Sequence, residues 1–119
     1  MPKEYFPFQI DTEITVKKDN QIFLNKKRIE LIGNIRYTGS ILSASKAMKI
    51  SYQQAWTFIK EMNELSPLPV VIRQRGGSNG GGAVVTRFGL ELLEKYHKME
   101  LMQQEYLISL GEILETCFL

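Results

Sequence analysis

Residues 40–65 read SILSASKAMKISYQQAWTFIKEMNEL and predict two helices joined by a tight turn. Ser40 is a favourable N-cap for the first, short helix. One face of that helix would carry the small and apolar residues Ile41, Ala44, Ala47 and Met48. Only Lys49 and Ile50 separate it from Ser51, the N-cap of the second helix. The spacing therefore predicts a helix-turn-helix.

The second helix begins with a capping-box pattern, because Gln54 follows Ser51 by three residues. Projection at about 100° per residue divides its side chains into two faces. The apolar face comprises Ala55, Phe58, Ile59, Met62 and Leu65. The opposite face carries Gln53, Thr57, Lys60 and Glu64. Pro67 and Pro69 end the helix, because proline disfavours helical geometry in the residue before it. We expect a helix braced on one side and polar on the other.

Downstream of the helix pair, two short apolar segments flank a glycine-rich stretch. Residues 70–72 and 83–85 predict strands, and residues 76–82, with the sequence GGSNGGG, predict a long hairpin tip between them. A two-stranded hairpin directly after a helix-turn-helix is the arrangement called a wing. The order of elements therefore predicts a winged helix-turn-helix.

Upstream of the helix pair, the sequence predicts a further hairpin and a helix. Apolar residues alternate over residues 14–24 around the turn-forming Lys18-Asp19-Asn20. Residues 26–37 have apolar side chains at helical spacing, and Thr38-Gly39 supplies a helix stop. We therefore expect a mainly α fold with small β elements (α+β), a winged helix-turn-helix with an N-terminal β-hairpin and a long C-terminal dimerisation helix.

The C-terminal helix is predicted to begin after the cap residue Thr86 and to run to the end of the chain. Alternating steps of four and three define a heptad seam of Leu92, Tyr96, Met99, Gln103, Tyr106, Leu110, Ile113 and Cys117. A helix of about 30 residues is roughly 45 Å long, more than a domain of this size can cover. We expect a homodimer, with residues 1–86 as the winged domain and residues 87–119 as the dimerisation helix.

Composition limits the function classes. The 119 residues suit one domain, 44% are hydrophobic, and the net charge is only +2. The single cysteine, Cys117, cannot form an internal disulfide, and the sequence shows neither a signal peptide nor a membrane-spanning run. We therefore expect a cytoplasmic protein that does not bind membranes. Between Arg36 and Arg87, seven cations stand against Glu61 and Glu64, so the middle of the chain is basic.

A basic winged helix-turn-helix favours double-stranded DNA as the partner, because the major groove of B-DNA admits one helix. Candidate contacts on the two helices are Ser40, Ser51, Tyr52, Gln53, Gln54, Thr57 and Lys60, and candidate contacts around the wing are Arg73, Arg75 and Arg87. The alternative is an ordinary solvated helix face with ordinary surface arginines. Trp56 and Tyr52 lie on the flank between the two faces, where aromatic rings pack at the core edge or stack against sugar and phosphate.

Catalytic chemistry has little support in the sequence. The only histidine, His97, forms neither a triad nor a metal-ligand cluster with Cys117. The glycine-rich stretch lacks the lysine of a P-loop and leads into a strand rather than a helix. We therefore expect no enzyme, no cofactor and no metal. A phosphate-handling enzyme built on the glycine loop is the least favoured interpretation.

Six short motifs occur in order along the chain: Thr38-Gly39-Ser40-Ile41, Ile50-Ser51-Tyr52, Ala55-Trp56, Glu61-Met62-Asn63, Gly80-Gly81-Gly82-Ala83 and Thr86-Arg87-Phe88-Gly89. With these motifs the sequence resembles a known family, the molybdate-responsive transcriptional regulators of the ModE family, and more distantly the DNA-binding domain of LysR-type regulators. The resemblance covers roughly residues 25–100.

The resemblance implies a dimer that binds a palindromic operator, with Tyr52, Gln53, Gln54 and Thr57 on the recognition helix and Arg73 in the wing. The family wing commonly carries a basic residue among its glycines, whereas this sequence has Ser78-Asn79. Full-length family members bind molybdate through a separate C-terminal domain, and we expect no molybdate sensing by this chain. A winged-helix protein-interaction module that does not bind DNA is the alternative function.

Overall fold

The computed structural model describes residues 7–74 and 82–118. It is mainly helical, with two small antiparallel hairpins. The elements in chain order are β1 (Val16–Lys18), β2 (Gln21–Leu24), α1 (Lys26–Thr38), α2 (Ile41–Met48), α3 (Tyr52–Leu65), β3 (Val71–Arg73), β4 (Ala83–Val85) and α4 (Arg87–Glu115), which a 3₁₀ turn, Thr116–Phe118, follows. The predicted winged helix-turn-helix with an N-terminal hairpin and a long C-terminal helix is confirmed. Arg75 and most of the glycine-rich tip lie outside the described residues.

Each helix is capped by a side chain at its N-terminus. The Ser40, Ser51 and Thr86 hydroxyls each accept a hydrogen bond from the backbone N–H of the third residue of their helix, as the sequence predicts. Asn25 caps α1 in the same way, a role that the sequence patterns did not single out. These side chains satisfy N–H groups that have no partner within their own helix.

Two residues with left-handed backbone end α1 and α2. Gly39 has φ 69° and ends α1 by donating its N–H to the Ile35 carbonyl. Lys49 has φ 58° and ends α2, so a lysine occupies a conformation that favours glycine. With both ends fixed, α3 follows α2 after Lys49, Ile50 and its cap Ser51.

The core lies among the three short helices, the wing and the first half of α4. Its buried apolar residues include Leu31, Ile32, Ile35, Ile41, Ala44, Ala55, Ile59, Met62, Val70, Val71, Leu93 and Tyr96. The predicted buried face of α2 needs one correction. Ala47 is exposed, and Ser45 is buried in its place, with its hydroxyl donating to the Leu42 carbonyl at 2.7 Å. A hydroxyl bonded within its own helix can be buried at little cost.

Arg28 joins the N-terminal hairpin to α3. Its side chain is almost fully buried, donates to the Ile22 carbonyl at 2.8 Å and pairs with the Glu61 carboxylate at 2.7 Å. Its guanidinium also lies 5.1 Å from the centre of the Phe58 ring. Because Glu61 and Phe58 are both on α3, this buried cation fixes the position of α3 against α1 and β2.

An extended N-terminal segment, residues 8–14, lies along α4. The buried Tyr96 hydroxyl donates to the Ile14 carbonyl at 2.7 Å, and the Gln103 amide donates to the Thr12 hydroxyl at 3.3 Å. Phe8 stacks on Phe118 with ring centres 4.8 Å apart. Burial, followed by the nearby Glu100 and Glu13 carboxylates, raises the pKa of Tyr96, so its phenol stays neutral and remains a hydrogen-bond donor.

Candidate nucleic-acid interface

The outer face of α3 is polar and open to solvent. Gln53, Gln54, Thr57 and Lys60 are all exposed, whereas Ala55, Ile59 and Met62 on the other side are buried. The sequence-predicted division of this helix into two faces is therefore confirmed. The predicted contacts from α3 lie together on one surface, and Ser51 is exposed at the start of the same helix.

The wing reaches this surface through Arg73. Its guanidinium lies over the Trp56 ring, 4.6 Å from the ring centre, and donates to the Tyr52 hydroxyl at 3.1 Å. Tyr52 and Trp56 are four residues apart on α3, so one wing arginine contacts two successive turns of the helix. The aromatic cluster of Tyr52, Trp56 and Arg73 is the part of the site that sequence reasoning missed. The two rings were interpreted as core-edge or stacking groups, and nothing in their spacing indicated which arginine would meet them.

Asn63 holds the wing on α3. Its side-chain oxygen accepts from the Val70 N–H at 2.7 Å and from the Val71 N–H at 3.4 Å, and its amide donates to the Val71 carbonyl at 3.0 Å. This explains a one-residue difference from the sequence prediction. The strand was expected to begin at Val70, but the Val70 N–H is bound to Asn63, and β3 begins at Val71.

We expect Asn63→Ala to lower the free energy of unfolding by about 2 kcal/mol, because buried backbone groups at Val70 and Val71 lose their partners. Urea unfolding followed by circular dichroism measures this change. Asn34→Ala is the matched control, because among the described residues the Asn34 amide bonds only to the Glu30 carbonyl of its own helix. We expect the control to change stability by less than about 0.5 kcal/mol. Equal losses in the two variants would contradict the role assigned to Asn63.

The base of the wing is also joined to the turn between α1 and α2. The Ala83 N–H donates to the Gly39 carbonyl at 3.0 Å, and Ser40 and Gly82 form an antiparallel bridge. Ser40 therefore lies beside β4 rather than on the face of α3. Arg87 is exposed on the first turn of α4 and makes a loose contact of 3.9 Å with Glu91. Arg75 lies outside the described residues.

The residues of the predicted heptad seam differ in exposure and fall into three groups. Tyr96 is buried in the core of its own chain, which leaves it no surface to offer a partner, and Leu92, Gln103 and Leu110 are partly covered. Met99, Tyr106, Ile113 and Cys117 are exposed. Cys117 lies in the terminal 3₁₀ turn, so it departs from the heptad spacing of the helix. The buried residues of α4 are Gly89, Leu93 and Tyr96, so the second half of this helix projects from the core.

Within residues 7–74 and 82–118, no cluster of three or more histidine, cysteine or acidic side chains is suited to a metal ion. Among those same residues, no helix has the length and apolar character that crossing a membrane requires.

Known proteins share much of this sequence. No protein-family model matches the chain. It is 40% identical over 96 residues to the transcriptional regulator ModE of Haemophilus influenzae. The aligned region covers 79% of this chain and 38% of that protein. It is also 40% identical over 97 residues to the DNA-binding transcriptional dual regulator ModE of Escherichia coli, with 82% of this chain and 37% of that protein covered. The chain thus spans less than two-fifths of these relatives.

Solved structures agree on the fold. Full-length LysG from Corynebacterium glutamicum, a LysR-type regulator, superposes on 74% of this chain with a TM-score of 0.54 and 25% sequence identity, using 29% of its own length. The superposition on ArgP from Mycobacterium tuberculosis covers 71% of this chain and 30% of the ArgP chain, with a TM-score of 0.51. At 17% sequence identity, this likeness supports the fold alone. The resemblance identified from the motifs is confirmed over most of the chain. By sequence, the chain is a homologue of the N-terminal region of the ModE transcriptional regulators.

Proposed function

We propose that the chain is a sequence-specific, DNA-binding transcriptional regulator that acts as a homodimer. The observation that carries this proposal is the exposed polar face of α3, on a helix whose opposite face is buried in the core. The homologues support it, because they are named as transcriptional regulators and match over the residues that build this helix.

The side chains of α3 have the chemistry to read base edges. Gln53 can bond bidentately to adenine, the Thr57 methyl can contact a thymine methyl, and Lys60 can reach guanine acceptors or phosphate. Tyr52 and Gln54 complete this set near the start of the helix. Phosphate contacts would come from the helix starts at Ser40 and Ser51 and from the arginines Arg73, Arg75 and Arg87.

Dimerisation would place two such helices on one operator. The exposed seam residues Tyr106 and Ile113 lie on the half of α4 that projects from the core, and Met99 is exposed just before it. We assign residues 1–86 to the DNA-binding domain and residues 87–119 to the dimerisation helix. Two half-sites about one helical turn apart would each receive one α3.

This chain would contribute DNA binding without catalysis and without a bound cofactor. Its relatives include a protein named molybdenum transport protein ModE from Azotobacter vinelandii, 40% identical over 91 residues that make up 76% of this chain and 34% of that protein. The shared region is the one that holds the helix-turn-helix. DNA binding is therefore the part of a regulator's activity that we propose for these residues.

The test is fluorescence anisotropy on pooled duplex DNA at several salt concentrations, followed by selection of the duplexes that bind. We expect salt-sensitive binding and an enriched palindrome, with a slope of log affinity on log salt of about 0.9 per phosphate contact. Gln53→Ala should weaken binding to the selected duplex about tenfold or more, because a bidentate base contact is lost. Lys17→Ala, an exposed site on the N-terminal hairpin, is the control and should bind normally.

A second candidate function is a winged-helix module that binds another protein and not DNA. The observation that favours it is a further exposed apolar pair on α4, Leu101 and Ile108, which lies away from the seam. Failure to bind duplex DNA at any salt concentration, by a protein that remains folded and dimeric, would contradict the regulator and support this module.

A further inference from the structure

The exposed guanidinium of Arg73 is held in one position before any ligand is bound. Stacking on Trp56 and a hydrogen bond to the Tyr52 hydroxyl restrain a side chain that is otherwise among the most mobile. A guanidinium over an indole ring is a favourable cation–π contact. Among the carboxylates of residues 7–74 and 82–118, none forms an ion pair with Arg73. Its charge is therefore ordered and not neutralised by the described part of the chain.

The ordered guanidinium retains donors for a ligand. Arginine has five N–H donors in a planar fork, and only one donor nitrogen of Arg73 is engaged by Tyr52. That fork matches the geometry of a phosphate group. Arg73 ends β3, and the cluster lies where the wing meets the first two turns of α3. Phosphate and sugar accept about half to two-thirds of protein–DNA hydrogen bonds, with arginine among the donors. With α3 in the major groove, as proposed, the phosphate backbone would border this junction.

We propose that Tyr52, Trp56 and Arg73 form a preformed seat for one backbone phosphate of the DNA duplex, in which Arg73 makes the contact and Tyr52 and Trp56 are positioning residues. This inference rests on the proposed function. It changes the role of Tyr52, which is a candidate base contact by sequence. The Tyr52 hydroxyl accepts a hydrogen bond from the wing residue Arg73, and Gln53, Gln54 and Thr57 remain as the candidate base contacts.

A double-mutant cycle tests the seat. Arg73→Ala should lower the salt slope by about 0.9 and weaken all duplexes alike, because a phosphate contact carries no sequence information. Tyr52→Phe removes only the hydroxyl and should weaken binding about five- to tenfold through Arg73, the upper part of the range for an ordinary hydrogen bond. In the Arg73→Ala background, Tyr52→Phe should have no further effect. Arg36→Ala, a cation beside the groove between α1 and α4, is the charge-matched control and should retain the slope.

Each outcome decides a different question. Additive losses from Tyr52→Phe and Arg73→Ala would overturn the seat, because Tyr52 would then act on the DNA independently. A change in the preferred base at one operator position with Tyr52→Phe would overturn it as well. Absence of salt-sensitive binding by the unmodified chain would instead contradict the proposed function itself. Trp56→Leu gives a second measurement of how a positioning residue affects DNA binding through Arg73. Urea unfolding of each variant separates a positioning effect from a loss of folding.

Discussion

Gly89→Ala is expected to lower the free energy of unfolding by about 3 kcal/mol, the upper range for overpacking a core. A Cβ at this position would lie 2.5 Å from the Val70 carbonyl oxygen and 2.7 Å from Cγ1 of Val85. Neither neighbour can easily move, because Val70 is fixed by Asn63 and Val85 belongs to β4. Gly89 thus permits the start of α4 to lie directly on the wing. Urea unfolding measures the change.

The same helix offers a matched control at Gly111. A Cβ added there meets no atom within 4 Å, and Gly111 has an ordinary helical backbone. Gly111→Ala should therefore stabilise the chain by up to about 1 kcal/mol, through helix propensity alone. A Gly89→Ala variant as stable as the unmodified chain would mean that the wing and α4 can separate without cost.

Tyr106→Glu is expected to convert the proposed dimer to monomers and to weaken operator binding about 100-fold or more, because the second half-site contact ceases to be intramolecular. Tyr106 is 59% exposed in the chain, so its replacement leaves the core of the domain intact. A buried carboxylate in a helix seam is strongly unfavourable unless it is paired. Analytical ultracentrifugation gives the oligomeric state, and anisotropy gives the affinity.

Leu101→Glu is the matched control for the seam. Leu101 is 63% exposed on the same helix, but at about 100° per residue it points away from Tyr106 by more than a third of a turn. The control should remain dimeric. If Leu101→Glu gives monomers and Tyr106→Glu does not, the dimer uses the face of Leu101 and Ile108, and the heptad seam is the wrong surface.

Local patterns predicted the helices and both hairpins because each is specified by residues near in sequence. Ser40, Ser51 and Thr86 mark helix starts by their own hydrogen bonds, and Gly39 marks a helix end by its backbone conformation. Helical periodicity also separated the two faces of α3. On α2 this approach failed, because Ser45 is buried where Ala47 was expected. A helix of 8 residues is too short for periodicity to define which face is buried.

Contacts between elements were beyond such patterns. Tyr96 follows the seam spacing, yet its ring is buried in the domain and its hydroxyl bonds to Ile14, 82 positions away. Arg73 was expected to be a wing cation, but its contact with Trp56 depends on how β3 lies across α3. The Asn63 bonds to Val70 and Val71 also require the fold to be known. A candidate surface is thus readable from sequence, whereas the arrangement of its charges is not.

The projecting half of α4 has an electrical consequence. From residue 101 onward the chain carries Glu105, Glu112 and Glu115 and no lysine or arginine, whereas the cations gather in the winged domain. The molecule measures 62 × 29 × 22 Å, so these opposite charges are separated along its long axis. A polyanion attracts the cationic winged domain and repels the acidic second half of α4, so the molecule rotates in its field. A DNA duplex would therefore orient each approaching molecule wing first, before any base is touched.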